Sequence, residues 1–243
     1  MGINWRQERI LADRYLEITL NDWGNTLLLL GQAPAIGALV ILRWRDAPVA
    51  PSLYFILVIA CVWFGCINAC REIVKEAAIF RRERLVNLDV GPYVLSKLQI
   101  LAMLGFVQCI LLLAPVHHYI HLRGNLLLVF LTLYCASLAG TTLGLLLSSL
   151  AHNTDQAVGL APLVTIPQIL FSKFVLTDDY LKGMPAVLEK LTIVKWSWDA
   201  LDELTGASPS YGNVALDLLV LVVMSLVFLL FTWLTLRWND NKG

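Results

Sequence analysis

The residues whose types and spacing could do chemistry are few. The chain has four histidines: His117, His118, His121 and His152. His117 and His121 stand four apart, the spacing that lets two imidazoles on a helix clamp one metal ion. No carboxylate or cysteine beside them completes a ligand set, so an ordinary polar turn is the reading and no metal is expected. A membrane hydroxylase or desaturase would need many more histidines. No GxxxxGK[ST] run is present to cradle a nucleotide phosphate. No GxSxG elbow is present to expose a serine nucleophile. The cysteines Cys61, Cys66, Cys70, Cys109 and Cys135 lie in or beside apolar runs and form no CxxC pair. They read as small hydrophobes in helix packing. What remains is charge: a dense run at 71–86, REIVKEAAIFRRERLV, and a lone acid, Asp217, inside an apolar stretch.

The elements that position these residues follow from composition. Over 243 residues, 58% are apolar and only 15% charged, with Lys+Arg and Asp+Glu both 18. Mean hydropathy is +0.71. A soluble domain is about a quarter charged. Zero net charge argues against nucleic-acid binding, which needs a basic stripe, and against disorder. The expected fold is an all-α polytopic membrane protein. A span needs about 20 apolar residues. Six candidates exist, at 25–43, 53–70, 98–116, 125–150, 157–176 and 213–236. Pro34 predicts a kink in the first. Asp217 lies near the external end of the last, where a hydrated interfacial role is expected.

Residues 4–23 carry charge from the start and have no signal-peptide core. Leu11, Tyr15 and Ile18 recur at helical spacing between Trp5 and Trp23, which predicts an amphipathic helix along a membrane surface. With both termini cytoplasmic, eleven Lys/Arg fall inside and seven outside. That bias favours this orientation. Trp23, Trp44, Trp196, Trp198 and Trp238 then sit near helix ends, as an aromatic belt would place them. Two connections are long: 71–97 on the inner side and roughly 177–212 on the outer. The outer one is apolar at Val187, Leu188, Leu191 and Val194, then at Trp198, Leu201 and Leu204. This predicts two short helices that dip into or cap the outer leaflet.

The 71–86 segment is rich in helix formers and lacks Gly and Pro. Ile73, Ala77 and Phe80 form one apolar face. Of its charges, only Glu72 and Lys75 pair at helical spacing. The others are either solvated or paired with another element. The charged helix at 4–23 is one candidate; a partner protein is a second.

The segment 64–97, FGCINACREIVKEAAIFRRERLVNLDVGPYVLSK, resembles the second membrane helix and first cytoplasmic loop of ATP-binding cassette (ABC) transporter membrane domains of the G-subfamily type. Arg71, Glu72, Glu76, Phe80, Arg82, Glu83, Arg84, Tyr93, Ser96 and Lys97 match that pattern. PQILFS at 167–172 is similar to the end of the fifth helix, and KWSWDAL at 195–201 to the element after the re-entrant external helices. The resemblance implies a connecting helix within 1–24 and a six-helix transmembrane domain over 25–243. It implies a coupling helix at about 72–85 that meets a nucleotide-binding domain through Arg71, Glu72, Glu76, Phe80, Arg81, Arg82, Glu83 and Arg84. That domain, separate or fused, would bind ATP and Mg; no cofactor and no enzymatic activity are expected of this chain. The unit would work as a dimer among membrane lipid. A substrate cavity would lie near Cys61, Phe64 and Thr165, and an external gate at Phe174 and Val175. Phe64 could equally be helix packing, and Lys173 stands where the family usually has Gly. These features imply an exporter of an amphipathic or lipid-linked substrate in a cell membrane, the inner membrane of a bacterium. The alternative is a membrane scaffold or assembly factor without its own transport cycle.

Overall fold

The computed structural model describes residues 5–175, 183–206 and 209–240. Among these residues every regular element is helical. The first, α1 (Trp5–Asn21), turns Leu11, Ala12 and Tyr15 inward and leaves Trp5 and Ile18 exposed. Asp22 then caps α2 (Trp23–Trp44) by accepting from the Asn25 N–H at 3.3 Å. Helix α2 continues through Pro34. The remaining helices are α3 (Pro51–Ala69), α4 (Ala77–Arg84), α5 (Val90–Ile120), α6 (Leu126–Leu150), α7 (Thr154–Leu170), α8 (Met184–Lys190), α9 (Ile193–Thr205) and α10 (Tyr211–Asp240).

Five of the described helices are long and apolar enough to cross a membrane: α2, the helix that begins with α3, α5, α6 and α10. The expected span at 157–176 is the 17-residue α7, which ends at Leu170 and contains Pro162 and Pro167. The expected short external helices are α8 and α9; positions 176–182 and 207–208 of that connection, and residues 1–4, lie outside the described residues. At 13 residues, α9 is about 20 Å long, less than a hydrocarbon core. Its buried face carries Ile193, Val194, Ser197, Trp198, Ala200, Leu201 and Leu204.

Helix α3 sits at the centre. It packs on α6 with almost no side-chain spacing. A Cβ on Gly65 would lie 2.0 Å from the Ser137 carbonyl oxygen, one on Gly140 2.4 Å from that of Val62, and one on Gly144 2.5 Å from that of Cys66. Small residues permit such approach where lipid supplies no hydrophobic drive for association. Polar braces add to it. The Gln108 side chain on α5 donates to the Leu29 carbonyl of α2 at 2.8 Å and accepts from Asn68 Nδ2 of α3 at 2.6 Å. Both amides are buried, so each bond satisfies a group that hydrocarbon could not.

The 71–86 segment departs from a single helix. Helix α3 stops at Ala69, a turn and a 3₁₀ stretch (Val74–Glu76) follow, and only then does α4 begin. The break leaves N–H groups without helical partners. Ser148 of α6 supplies one: its Oγ accepts from the Ile73 and Val74 N–H groups, each at 3.0 Å.

Candidate functional site

The 3₁₀ stretch and α4 fold back against α1 and the start of α5. Three carboxylates of the segment turn toward these elements. Glu72 accepts from Lys75 at 2.6 Å and from the Tyr15 hydroxyl. Glu76 pairs with Lys97 Nζ at 2.7 Å. Glu83 pairs with Arg14 of α1 at 2.5 Å. Phe80 is buried against the Tyr93 ring, centroids 4.7 Å apart. Glu76 and Glu83, which lack partners on their own helix, therefore meet α5 and α1.

Lys97 is the least expected member. It lies within α5 and is 2% exposed. Its ammonium stands 3.6 Å from the Tyr15 ring centroid as well as beside Glu76. A cation taken into low dielectric needs both kinds of partner. Burial, and then the neighbouring Glu72, push the Tyr15 phenol well above its ordinary pKa. The Glu83 hydrogen bond raises Arg14. Tyr15 was legible only as an apolar repeat position. Lys97 was legible as a motif residue, but nothing marked it as buried, save that a lone cation entering an apolar run requires a partner.

The opposite face of the segment is cationic and apolar. Arg71, Arg81 and Arg82 are exposed and form no ion pair among the described residues. Arg84 is half-buried and donates to the Leu88 carbonyl. Ile79, Leu85 and Val86 are exposed beside them. Between α1 and α4 runs an open groove of about 610 Å³, lined by Ile10, Leu11, Arg14, Ile79, Arg82 and Val86 among others.

At the other end of α3, Phe55 stacks on Phe174 at 4.4 Å, and both meet the Trp198 ring edge-on, at 5.7 and 5.5 Å. The sequence singled out Phe174 but not Phe55. Val175 beside it is exposed. Gln168 of α7 accepts from the Ile193 N–H at 3.2 Å and so ties α7 to the start of α9. Cys61 and Phe64 both have 0% exposure within the single chain, and the Cys61 Sγ lies 3.9 Å from that of Cys109. Thr165 is buried and donates to the Ala161 carbonyl. The structure thus brings Phe174 close to α3 and α9, while Cys61 and Phe64 lie in the interior.

Comparison with known proteins agrees with this architecture. The ABC-2 type transporter family profile matches residues 6–203. The ABC transporter ATP-binding/permease protein Rv1747 of Mycobacterium tuberculosis is 25% identical, over 80% of this chain and 24% of its own length. The chain therefore spans about a quarter of that relative. The family match runs from α1 through most of α9 and includes the segment that folds onto α1. With that coverage, the chain belongs to the ABC-2 type transporter family and is a multi-pass membrane component of such a transporter.

Proposed function

We propose that the chain is the translocating membrane domain of a G-subfamily-like ABC exporter, with the 71–86 segment as its coupling element. ATP and Mg are bound by a nucleotide-binding domain, separate or fused, and not by this chain. The observation that carries the reading is the sorting of charge on one short segment. Glu72, Glu76 and Glu83 are held inward, and Arg71, Arg81 and Arg82 are turned outward beside exposed Ile79, Leu85 and Val86. A face of that kind suits an acidic and apolar partner surface. The inward residues Glu72, Glu76, Phe80 and Glu83 position the segment, while the arginines touch the partner. Arg84 supports it from the α4 end.

Helix α7, continued by residues to 175, serves as the sixth span, and α8 and α9 are re-entrant elements of the outer leaflet. Both termini are cytoplasmic, with α1 as the connecting helix. Two copies enclose the substrate path. For Cys61, Phe64 and Thr165 to meet an amphipathic substrate, the packing around α3 must open during the cycle, and Phe174 and Val175 close the outer end.

The test is affinity purification of the chain from native membranes in mild detergent, comparing wild type with Arg81→Glu/Arg82→Glu. Wild type should retain a nucleotide-binding domain in stoichiometric amount, or be part of a longer product that contains one. The double reversal should abolish substrate-stimulated ATP hydrolysis while the protein still inserts. A stimulated rate unchanged by the reversal would remove the coupling assignment. No nucleotide-binding domain in either preparation would favour the scaffold.

A further inference from the structure

Helices α5 and α6 form a hairpin closed by residues 121–125, and a groove of about 590 Å³ runs between them at that end. Its lining is apolar: Ile110, Leu113, Leu126, Leu127 and Phe130. The exceptions are His117 and His118. His117 Nδ1 is buried, yet it has no hydrogen-bond partner among the described residues. A buried imidazole nitrogen without a partner is costly in hydrocarbon. The lining contributes no carboxylate, and the sequence has no Asp or Glu at any position from 90 to 154. Cationic and imidazole groups instead collect at the closed end: His117, His118, His121 and Arg123.

The closing loop is held firmly. Its first residue, His121, takes a left-handed conformation at φ 52°, and Gly124 stands at φ 88° with Leu204 pressed so close that a Cβ would meet its carbonyl oxygen at 2.9 Å. Tyr54 of α3 accepts from the Arg123 N–H at 2.7 Å and donates to the Arg123 carbonyl at 3.0 Å. The Arg123 backbone is therefore fixed while its side chain is exposed. Conformation, clamp and charge at this loop are independent of the coupling segment at the far end of α5.

We propose that this groove binds one phospholipid with an anionic headgroup, drawn from the leaflet on the side of the α5–α6 loop. An acyl chain lies along Ile110, Leu113, Leu127 and Phe130. The headgroup phosphate accepts hydrogen bonds from the exposed His118 imidazole and, once the His117 ring turns toward the groove, from His117 Nδ1, and stands near the Arg123 guanidinium. The floor requires a hydrocarbon occupant, which free phosphate lacks. The imidazoles and a lining without carboxylates favour an anionic headgroup over one of balanced charge. The proposal requires only that α5 and α6 span the membrane, and stands whether or not the coupling reading does.

The experiment uses the intact membrane protein, purified with its natural partners and placed in nanodiscs of phosphatidylcholine with or without phosphatidylglycerol. Retained lipid is read by native mass spectrometry after release into detergent. Wild type should keep about one phosphatidylglycerol per chain in preference to phosphatidylcholine. His117→Ala/His118→Ala should lower that preference roughly tenfold, the loss expected from one or two hydrogen bonds to a charged group. Leu127→Trp, which fills the groove, should reduce retention of both lipids. Equal retention of the two lipids by wild type, or unchanged selectivity in the histidine variant, would overturn the proposal. Should either variant fail to fold, carbethoxylation of wild-type His117 decides. Phosphatidylglycerol should slow it at least severalfold relative to phosphatidylcholine, and inorganic phosphate should not. Equal rates in both lipids, or equal protection by phosphate, would count against a lipid site.

Discussion

Lys97 Nζ and Glu76 Oε1 meet at 2.7 Å with both side chains largely shielded from solvent, joining the start of α5 to the 71–86 segment. A pair in this setting is worth little against an apolar replacement, but breaking it leaves a buried charge. Lys97→Met and Glu76→Leu should each destabilise by about 3–5 kcal/mol. Lys97→Met with Glu76→Leu should recover much of that loss. Thermal unfolding in detergent across the double-mutant cycle measures the coupling. Additive losses would mean that the two groups do not act as a pair. The cycle also separates position from contact: if Glu76 only holds the segment, the double variant regains the Arg14–Glu83 contact along with stability.

Tyr15 joins the same cluster from α1. Its hydroxyl donates to Glu72 and its ring lies under Lys97. Tyr15→Phe keeps the ring and removes the donor, so it should cost about 1.5–3 kcal/mol, the range for a bond to a charged group. The pH dependence has a defined sign. The folded phenol is held above its ordinary value of about 10 by burial first and Glu72 second. Its contribution is complete below the unfolded value and is lost as pH rises from there through the folded value. Unfolding measured from about pH 9 upward should therefore steepen in wild type relative to Tyr15→Phe. Parallel curves would show that the phenol is not coupled to folding.

The α3–α6 contact gives a prediction with an internal control. Gly65→Ala places a methyl where the Ser137 carbonyl oxygen would be 2.0 Å away, and backbone cannot yield as a side chain does. Gly31 of α2 has nothing within 4 Å of its Cβ position. Gly65→Ala should thus destabilise by several kcal/mol, above the usual cost of about 1–3 for overpacking. Gly31→Ala should be neutral or slightly stabilising. Melting temperatures of the two variants, purified side by side, check this. Equal values would mean that the helices are free to separate at Gly65.

How much of this was legible depended on whether the signal was local. Apolar run lengths placed α2, α3, α5, α6 and α10 because burial in lipid is a property of each segment alone. Glu76 and Glu83 were visible as charges lacking helical partners, which is why pairing with the charged helix at 4–23 could be entertained. Which charge met which was not visible, since Arg14 and Glu83 are 69 residues apart. The segment at 71–86 read as one helix because its composition contains no breaker; at the break, Ser148 on another helix takes up the freed N–H groups. Gln108 and Asn68 gave no local pattern at all, and Phe55 was one aromatic among many until α9 brought Trp198 to it.

Ser148 carries the last prediction, because it sits where α3 gives way to the turn and 3₁₀ stretch that lead to α4. One hydroxyl oxygen accepts two N–H groups, from Ile73 and Val74, at the point where the helix is interrupted. Ser148→Ala leaves a buried donor at Ile73 and a part-buried one at Val74 without their acceptor, at a cost of about 1–3 kcal/mol for a buried group that stays unsatisfied. The chain has a cheaper escape: residues 70–76 can rewind into the helix that precedes them and so satisfy the same groups internally. That rewinding would swing α4 away from α1 and separate Glu83 from Arg14. Ser148→Ala should therefore loosen a contact far from the substitution. The pair Arg14→Cys and Glu83→Cys, treated with a short bis-maleimide that spans the length of the two lost side chains, should cross-link readily when Ser148 is intact. Combined with Ser148→Ala, the same pair should cross-link several-fold more slowly, with the interior unfolding transition little changed. Equal cross-linking with and without the substitution would show that α4 is held by its own contacts and that Ser148 only caps the break.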